Sequence, residues 1–359
     1  MKKNVLFLGN GLYSKSLIKY FKRKFFNRYL VDLKIKKSTK NLFKKTFQIN
    51  LLDKQKIYKI SKKLKIDYVI TDQNDFAIPT YGYLCSKLKL NGISEIICNR
   101  FADKKICRSY LNKNIFCKKY IPKFYFNYKK ISKSDFKKKF IVKPIRMQGS
   151  RFVKLSKYEN LKNIINYYKI NNINFIIEEF IDGKDYAVES AVSNGRIQNL
   201  AISVKKKFSN SFVDKQIISK NYISNILEKK IINANKLIIK NLNLKNGLTH
   251  LEFRAKSDNR IYLIEAACRG AGSGISNIIL PYLTNFNTDK FLFNMSLGIK
   301  TNIENLNKSK RKTNLEWLNN NKELRKLNNK NIIFVKKKKI SRKIFSSEDR
   351  GSYIIEKKN

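Results

Sequence analysis

Residues 4–24, NVLFLGNGLYSKSLIKYFKRK, begin as an unbroken apolar run, pass through glycines and continue with apolar positions at helical spacing. That order predicts a strand, a turn and an amphipathic helix, the usual start of a parallel α/β unit. LVDLKI (30–35), KIDYVITDQ (65–73) and SEIICN (94–99) read as further strands, with a helix in DFAIPTYGYLCSKLKL (75–90) between the last two. From ADKKICRSYLNKN (102–114) onward the pattern changes to longer strands and hairpins. KFIVKPI (139–145) and NFIIEEFI (174–181) predict strands, KYENLKNIINYYK (157–169) a helix, and residues 185–207 two strands around an Asn194-Gly195 turn. NILEKKIINANKLIIKNLNL (225–244) is helical and closes before Gly247, and residues 299–359 read as a Lys- and Asn-rich helical stretch followed by two short strands, NIIFVKK and SYIIEKK. The pattern divides the chain into an α/β unit over 1–98, a mixed α+β unit over 99–298 and a small C-terminal element over 299–359.

Composition narrows the possibilities. With 42% hydrophobic and 12% aromatic residues, a chain of 359 residues can bury several cores. No run approaches the roughly 18 apolar residues of a membrane span, and the N-terminal segment reaches Gly and Asn too early for a signal peptide, so a cytoplasmic protein without a membrane partner is expected. Five cysteines without a CxxC pair and a single histidine, His250, argue against a zinc site or a disulfide framework. Cys268 has no second histidine to activate it as a nucleophile. The net charge of +52 is spread over every segment and arrives with abundant Asn and Ile. It therefore reads as compositional, and no specific nucleic-acid partner is expected.

Chemistry concentrates between residues 100 and 276. In HLEFRAKSDNRIYLIEAACRGAGSGIS (250–276), Glu252 and Glu265 sit inside apolar runs. On two strands joined by KSDNR they can share a face, where two carboxylates repel unless a cation lies between them, and magnesium would supply that cation. Upstream, Gly9-Asn10-Gly11 with Ser14 only partly matches a dinucleotide-binding turn and is read as a structural βα turn.

Taken in order, these motifs resemble the ATP-grasp superfamily, which includes biotin carboxylase and carbamoyl-phosphate synthetase. The resemblance implies an N-terminal pre-ATP-grasp domain, an ATP-grasp core with a lid at about 115–178, and a small C-terminal β element around SSEDRGSYII. It implies that Lys104 in FADKKICR and Lys143 in FIVKPI reach the nucleotide phosphates, and that Gly149, Ser150 and Arg151 of MQGSRF form the loop over them. Phe152 stands where glycine is common, which predicts a stiffer lid. Glu178, Glu179 and Ile181 of IIEEFIDGKD fall at the hinge that pairs with adenine, and Asp185 at the acid that accepts ribose hydroxyls. Glu189 is either a member of that pocket or an ordinary strand residue. Glu252 and Glu265 then hold Mg2+, or Mn2+, with His250 as a positioning group, and Arg269 in IEAACRGAG faces the transferred phosphoryl group. Ala267 replaces a commoner asparagine, which bears on the second metal. The implied activity is an ADP-forming ligase that activates a carboxylate as an acyl-phosphate and joins it to an amine; the alternative, suggested by Phe152 and Ala267, is a degenerate domain that binds nucleotide without turnover. Neither the acid, the amine nor the oligomeric state is legible in the sequence.

Overall fold

The computed structural model describes residues 1–35, 37–209, 211–219, 223–304, 306, 311–318, 332–336, 350 and 352–357. Strands β1 (Lys3–Leu8), β2 (Phe26–Asp32), β3 (Lys45–Gln48) and β4 (Tyr68–Ile70) form a parallel sheet in the order β3-β2-β1-β4. Val5, Leu6, Phe7 and Leu8 are all fully buried. A parallel strand covered on both faces needs such a continuous run rather than alternation. The helix after β1 spans only Leu12–Leu17, well short of the predicted stripe.

One expected strand is a helix. SEIICN lies in the helix Glu95–Ala102, where Cys98 and Phe101, three positions apart, are buried and Ile96 is exposed. Burial follows the helical period, and the paired isoleucines reflect composition rather than strand pairing.

A second sheet is built from β5 (Phe124–Tyr125), β6 (Lys139–Pro144), β7 (Lys154–Lys157) and β8 (Phe175–Glu179), antiparallel in the order β5-β8-β6-β7. With the helix Leu161–Ile170 it encloses its own core of Phe140, Val142, Leu161, Ile165, Tyr168 and Ile177. A small subdomain with a private core can move as a body, which suits a lid.

The third sheet has eight strands: β9 (Lys184–Ser193), β10 (Arg196–Lys207), β11 (Asp214–Ser219), β12 (Gly247–Ala255), β13 (Ile261–Ala267), β14 (Lys312–Trp317), β15 (Ile332–Lys336) and β16 (Ser352–Lys357). Their order is β13-β12-β9-β10-β11-β14-β16-β15. Asn194 and Gly195 turn β9 into β10 with φ of 51° and 78°, the left-handed pair that a tight hairpin requires. The helix Asn225–Leu242 starts on Ser224, whose side chain accepts from the Leu227 amide, and ends on the left-handed Asn243. β14 corrects the expectation of a helical stretch there: Thr313, Leu315 and Trp317 alternate into the core, and the strand pairs with β11 and β16. The remainder of that predicted helix, 319–331, lies outside the described residues.

Two local features position the site. Gly183 joins the lid strand β8 to β9, and a Cβ there would lie 2.1 Å from the Ala255 carbonyl oxygen, so only glycine allows this close approach. In the β12–β13 ladder, Glu252 faces Glu265 while Phe253 faces Leu263, which leaves Ile264 as the extra residue of a bulge.

Candidate functional site

The helix Lys104–Asn112 starts on Asp103, whose side chain accepts from the Ile106 amide. It carries Lys104 and Arg108 one turn apart on one face. Lys104 Nζ lies 2.7 Å from Glu265 Oε1 and donates to the Met147 carbonyl at 3.1 Å. Arg108 is fully buried; its Nε donates to Glu178 Oε1 at 2.8 Å, and its Nη2 to the Leu263 and Ile264 carbonyls at 3.1 and 2.7 Å. Lys143, on β6, meets the other Glu178 oxygen at 2.7 Å and also donates to the Ile264 carbonyl, at 3.0 Å. The bulge thus frees a carbonyl on which two cations converge. Burial pushes the Lys143 ammonium down to about 8, with Arg108 and Lys104 adding to the effect and Glu178 opposing it.

The hinge differs in detail from expectation. Glu178 is a strand residue between Ile141 and Phe124, and its carboxylate is fully committed to Arg108 and Lys143. The amides of Glu179 and Phe180 donate to the Lys123 and Lys139 carbonyls at 2.8 and 2.9 Å. Among the described residues none accepts from the Ile181 amide, and Glu179 and Ile181 line the adjoining cleft. Asp185 does not line that cleft. Arg254 clamps its carboxylate at 2.5 and 2.8 Å and Lys207 adds a contact at 2.6 Å, so the side chains presented to the cleft are Arg254 and Lys207.

Glu252 and Glu265 face each other across the ladder and line the same cleft. Each of the two carboxylates is paired with a lysine. Glu252 Oε1 accepts from Lys205 Nζ at 2.5 Å and from His250 Nε2 at 3.0 Å, while Glu265 pairs with Lys104. Lys205 also reaches Asp214 Oδ2 at 2.9 Å. His250 lies between Glu252 and Glu189, whose Oε1 is 2.6 Å from Nδ1. Burial disfavours its charge, but Glu189 and then Glu252 outweigh burial and raise the ring to about 10. Glu189 therefore acts behind His250 and is not a lining residue of the cleft.

Among the described residues no group of three His, Cys, Asp or Glu side chains is gathered for a metal. Two facing carboxylates do fit magnesium, which keeps most of its octahedron for water and phosphate oxygens. Asp214 Oδ1, at the same cleft, is buried without a partner.

Past β13, Arg269 is clamped by Asp75 at 2.5 and 2.6 Å. The Asp75 amide donates to Gln148 Oε1 at 3.0 Å, which ties the glycine-rich loop to the N-terminal unit. Asp72 accepts from the Gly270 amide at 2.6 Å; burial raises it to about 6, and that hydrogen bond moderates the rise. In the loop, Gly149, Ser150 and Phe152 have φ of 70°, 58° and 58°. Ser150 Oγ donates to the Phe212 carbonyl at 2.9 Å, and Ser150 and Arg151 line the cleft. Phe152 pays the left-handed strain that glycine avoids, about 1–2 kcal/mol, and offsets it by packing its ring on the lid core. Its carbonyl accepts from Tyr168 Oη, which pins the loop. Cys268 is buried.

Three cavities meet at Glu265. The cleft between lid and base is lined by Lys104, Lys143, Ile181, Glu252 and Glu265. A second opens toward the N-terminal unit between Phe76, Phe101, Arg146 and Glu265. A third holds Gly149, His250, Glu265, Arg269 and Trp317.

The model of the ATP-grasp domain family matches residues 136–277. These residues resemble an ATP-grasp domain. The whole chain shares the fold of solved ATP-grasp structures. It superposes on L-amino acid ligase from Bacillus licheniformis with a TM-score of 0.80 at 16% identity, covering 99% of this chain and 93% of that one. Phosphoribosylglycinamide synthetase from Anaerococcus prevotii gives 0.75 at 17%, covering 100% and 95%. The biotin carboxylase domain of 2-oxoglutarate carboxylase from Hydrogenobacter thermophilus, solved with MgADP and bicarbonate, gives 0.72 at 12%, covering 99% and 86%. No curated protein matches the sequence. Among the described residues no helix is long and apolar enough to cross a membrane.

Within residues 136–277, sequence reasoning missed Lys205 and Asp214; outside them, it missed Arg108 and Asp75. Lys205 stands in VKKKF, where nothing local separates a buried lysine from its neighbours. Arg108 left a signal, its four-residue spacing from Lys104 on one helix.

Proposed function

We propose that the chain is an ADP-forming ligase that uses ATP to activate a carboxylate and joins it to an amine. The observation that carries this reading is the convergence of Lys104, Lys143, Glu252 and Glu265, from four separate segments, on one cleft bounded by the hinge. Adenine would lie at Ile181, whose amide is open to pairing, with the phosphates toward Lys104 and Lys143. Glu252 and Glu265 would hold magnesium, or manganese, which when bound neutralises charge between the phosphate oxygens.

In that arrangement Lys104 exchanges Glu265 for a phosphate oxygen, and Lys143 follows the charge as it shifts. A carboxylate oxygen of the acid attacks the γ-phosphorus, and the bond to the β–γ bridging oxygen breaks with its electron pair leaving on ADP. The amine nitrogen then attacks the acyl carbon, the carbon–oxygen bond breaks toward phosphate, and the amine proton passes to solvent. Arg269, beside the third cavity, neutralises the acyl-phosphate. Positioning and charge supply the rate, and the lid excludes the water that would hydrolyse the intermediate.

ADP release from MgATP with pooled carboxylic acids and amines tests the reading, and its absence over a broad pool overturns it. Calorimetry with ATP tests the metal: equally tight binding in excess chelator removes Glu252 and Glu265 as ligands. The dispersed lysines should give only salt-labile affinity for oligonucleotides, and binding that survives near-physiological salt would contradict a compositional origin of the charge.

A further inference from the structure

A cavity apart from the three that meet at Glu265 opens where the strands of the parallel sheet begin. Lys2, Arg23, Arg28 and Lys44 line it together with Phe26 and Phe43, and no carboxylate among the described residues does. β1, β2 and β3 start at Lys3, Phe26 and Lys45, so the cavity belongs to their N-terminal ends. The cleft lies toward the other end of the sheet, where Asp72 and Asp75, just past β4, reach Gly270 and Arg269. Asp67, just before β4, is held by Lys3 at 3.1 Å and by the Asn4 amide at 2.7 Å and does not line the cavity.

Arg28 makes this more than a lysine-rich surface. It is 8% exposed, and the residues that follow it in β2, Tyr29, Leu30 and Val31, are buried. A strand covered on both faces ordinarily carries an apolar side chain at such a place. Of the three buried arginines among the described residues, Arg108 and Arg254 each hold a carboxylate, at 2.8 and 2.5 Å, whereas the Arg28 guanidinium has neither an ion pair nor a hydrogen bond. Its nitrogens are unpaired without being sealed from solvent, and the open side is the cavity. Burial, and then repulsion from Arg23, push the guanidinium below its ordinary value. The chain's general excess of lysine accounts for the exposed Lys2 and Lys44. It does not account for a recessed arginine without a counterion.

We propose that this cavity binds the terminal phosphate of a small organic phosphate. A guanidinium offers parallel N–H groups that match two phosphate oxygens, and Lys2, Arg23 and Lys44 at the rim meet the second negative charge. A single carboxylate would leave most of the cationic charge uncompensated. Because Arg28 is recessed, a terminal phosphate can reach it, while the diester phosphates along a nucleic-acid strand stay at the rim. Phe26 and Phe43 give the organic part of the ligand an apolar wall, and that wall is preformed: the Phe26 ring rests on Phe21 at 5.1 Å and the Phe43 ring on Phe7 at 5.3 Å. No residue of the cleft takes part, so the site stands or falls apart from the ligase reading.

Calorimetric titration of the full chain with phenyl phosphate and with benzoate, in about 0.1 M chloride, tests the site. Phenyl phosphate should bind at least about ten-fold tighter than benzoate, and equal affinities overturn the proposal. Arg28→Met keeps the apolar stem and removes the charge, so it should melt no lower than wild type in phosphate-free buffer while weakening phenyl phosphate at least about ten-fold. An unchanged affinity, or a markedly lower melting temperature with binding preserved, makes Arg28 a structural residue and overturns the proposal. Lys143→Ala locates the phosphate: it should change the affinity by less than about three-fold, and loss of binding in that variant places the ligand in the cleft instead. Should Arg28→Met fail to fold, Lys44→Gln at the exposed rim should weaken phenyl phosphate by about three-fold or more, and an unchanged affinity there overturns the site. A single-stranded oligonucleotide that displaces phenyl phosphate equally well with and without a 5′-phosphate assigns the cluster to a nucleic-acid backbone and overturns it as well.

Discussion

Glu178 and Glu265 are served by the same helix, four residues apart, and they are bound in opposite ways. Glu178 is 4% exposed at its side chain and accepts from Arg108 and Lys143 at once. Glu265 is 26% exposed, has one partner in Lys104, and stands where three cavities join. A carboxylate that is sealed and doubly paired cannot exchange its partners without leaving charge stranded, whereas one at an open junction can trade a lysine for another cation. The first is therefore built to hold the lid strand β8 against the base, and the second, on the proposed reading, to take part in chemistry.

The largest expected effect separates them. Glu178→Gln leaves Arg108 and Lys143 without a counterion and should cost about 3–5 kcal/mol in chemical denaturation of the empty protein. A loss below about 1 kcal/mol would show that the pair is as exchangeable as the outer one. Glu265→Gln should do the reverse, changing the empty protein by less than about 1 kcal/mol. It should also abolish the thermal shift given by MgATP and cut ADP release by at least about 100-fold. A large drop in the apo melting temperature with the nucleotide shift preserved would assign Glu265 to the fold.

A pH series refines the contrast through Lys143, which belongs to the sealed side yet faces the cleft. Its folded value of about 8 lies below the ordinary 10.5. Between those values the unfolded chain binds more protons, so this group makes the empty protein more stable as pH rises from 8 to 10.5. Phosphate favours the ammonium, so MgATP binding should take up a proton in the same window, and affinity should fall by up to about ten-fold per pH unit above 8. Calorimetry in two buffers of different ionisation enthalpy measures that uptake, and a flat affinity from pH 7 to 9.5 would place Lys143 away from the phosphates. The smallest effect concerns the loop. Phe152→Gly should change stability by no more than about 1 kcal/mol, because relief of left-handed strain is set against lost packing, while speeding amide exchange over residues 147–153. Unaltered exchange would mean that Phe152 does not stiffen the lid.

Much of this was legible because the informative residues sit in distinctive surroundings. Lys143 lies in an apolar strand, and Glu252 and Glu265 interrupt two others, so each stands out by contrast. Lys205 is as buried as any of them but follows a strand into a lysine run, and among 78 Lys+Arg its type carries no information. The same compositional pressure that filled the chain with isoleucine made Glu95–Ala102 read as a strand, and Lys and Asn around β14 masked its alternation. The pairing of Asp185 was hidden for another reason: its partners Arg254 and Lys207 lie 69 and 22 positions away (254 − 185 and 207 − 185) and only folding brings them together.

Ile264 gives the site an arithmetic that no single side chain reveals. The extra residue lets Ile264 and Glu265, which are consecutive, both reach the cleft, and it leaves a carbonyl that accepts from Arg108 and Lys143. Substitution at 264 keeps that carbonyl, whatever the side chain. Deleting one codon there removes it and restores an unbroken ladder in which Glu252 still faces Glu265 and Phe253 still faces Leu263, so Arg108 and Lys143 lose their shared acceptor. This hairpin should therefore tolerate changes of letter far better than changes of length, so that among diverging copies of the chain the spacing from Ile261 to Arg269 would outlast the residues that fill it.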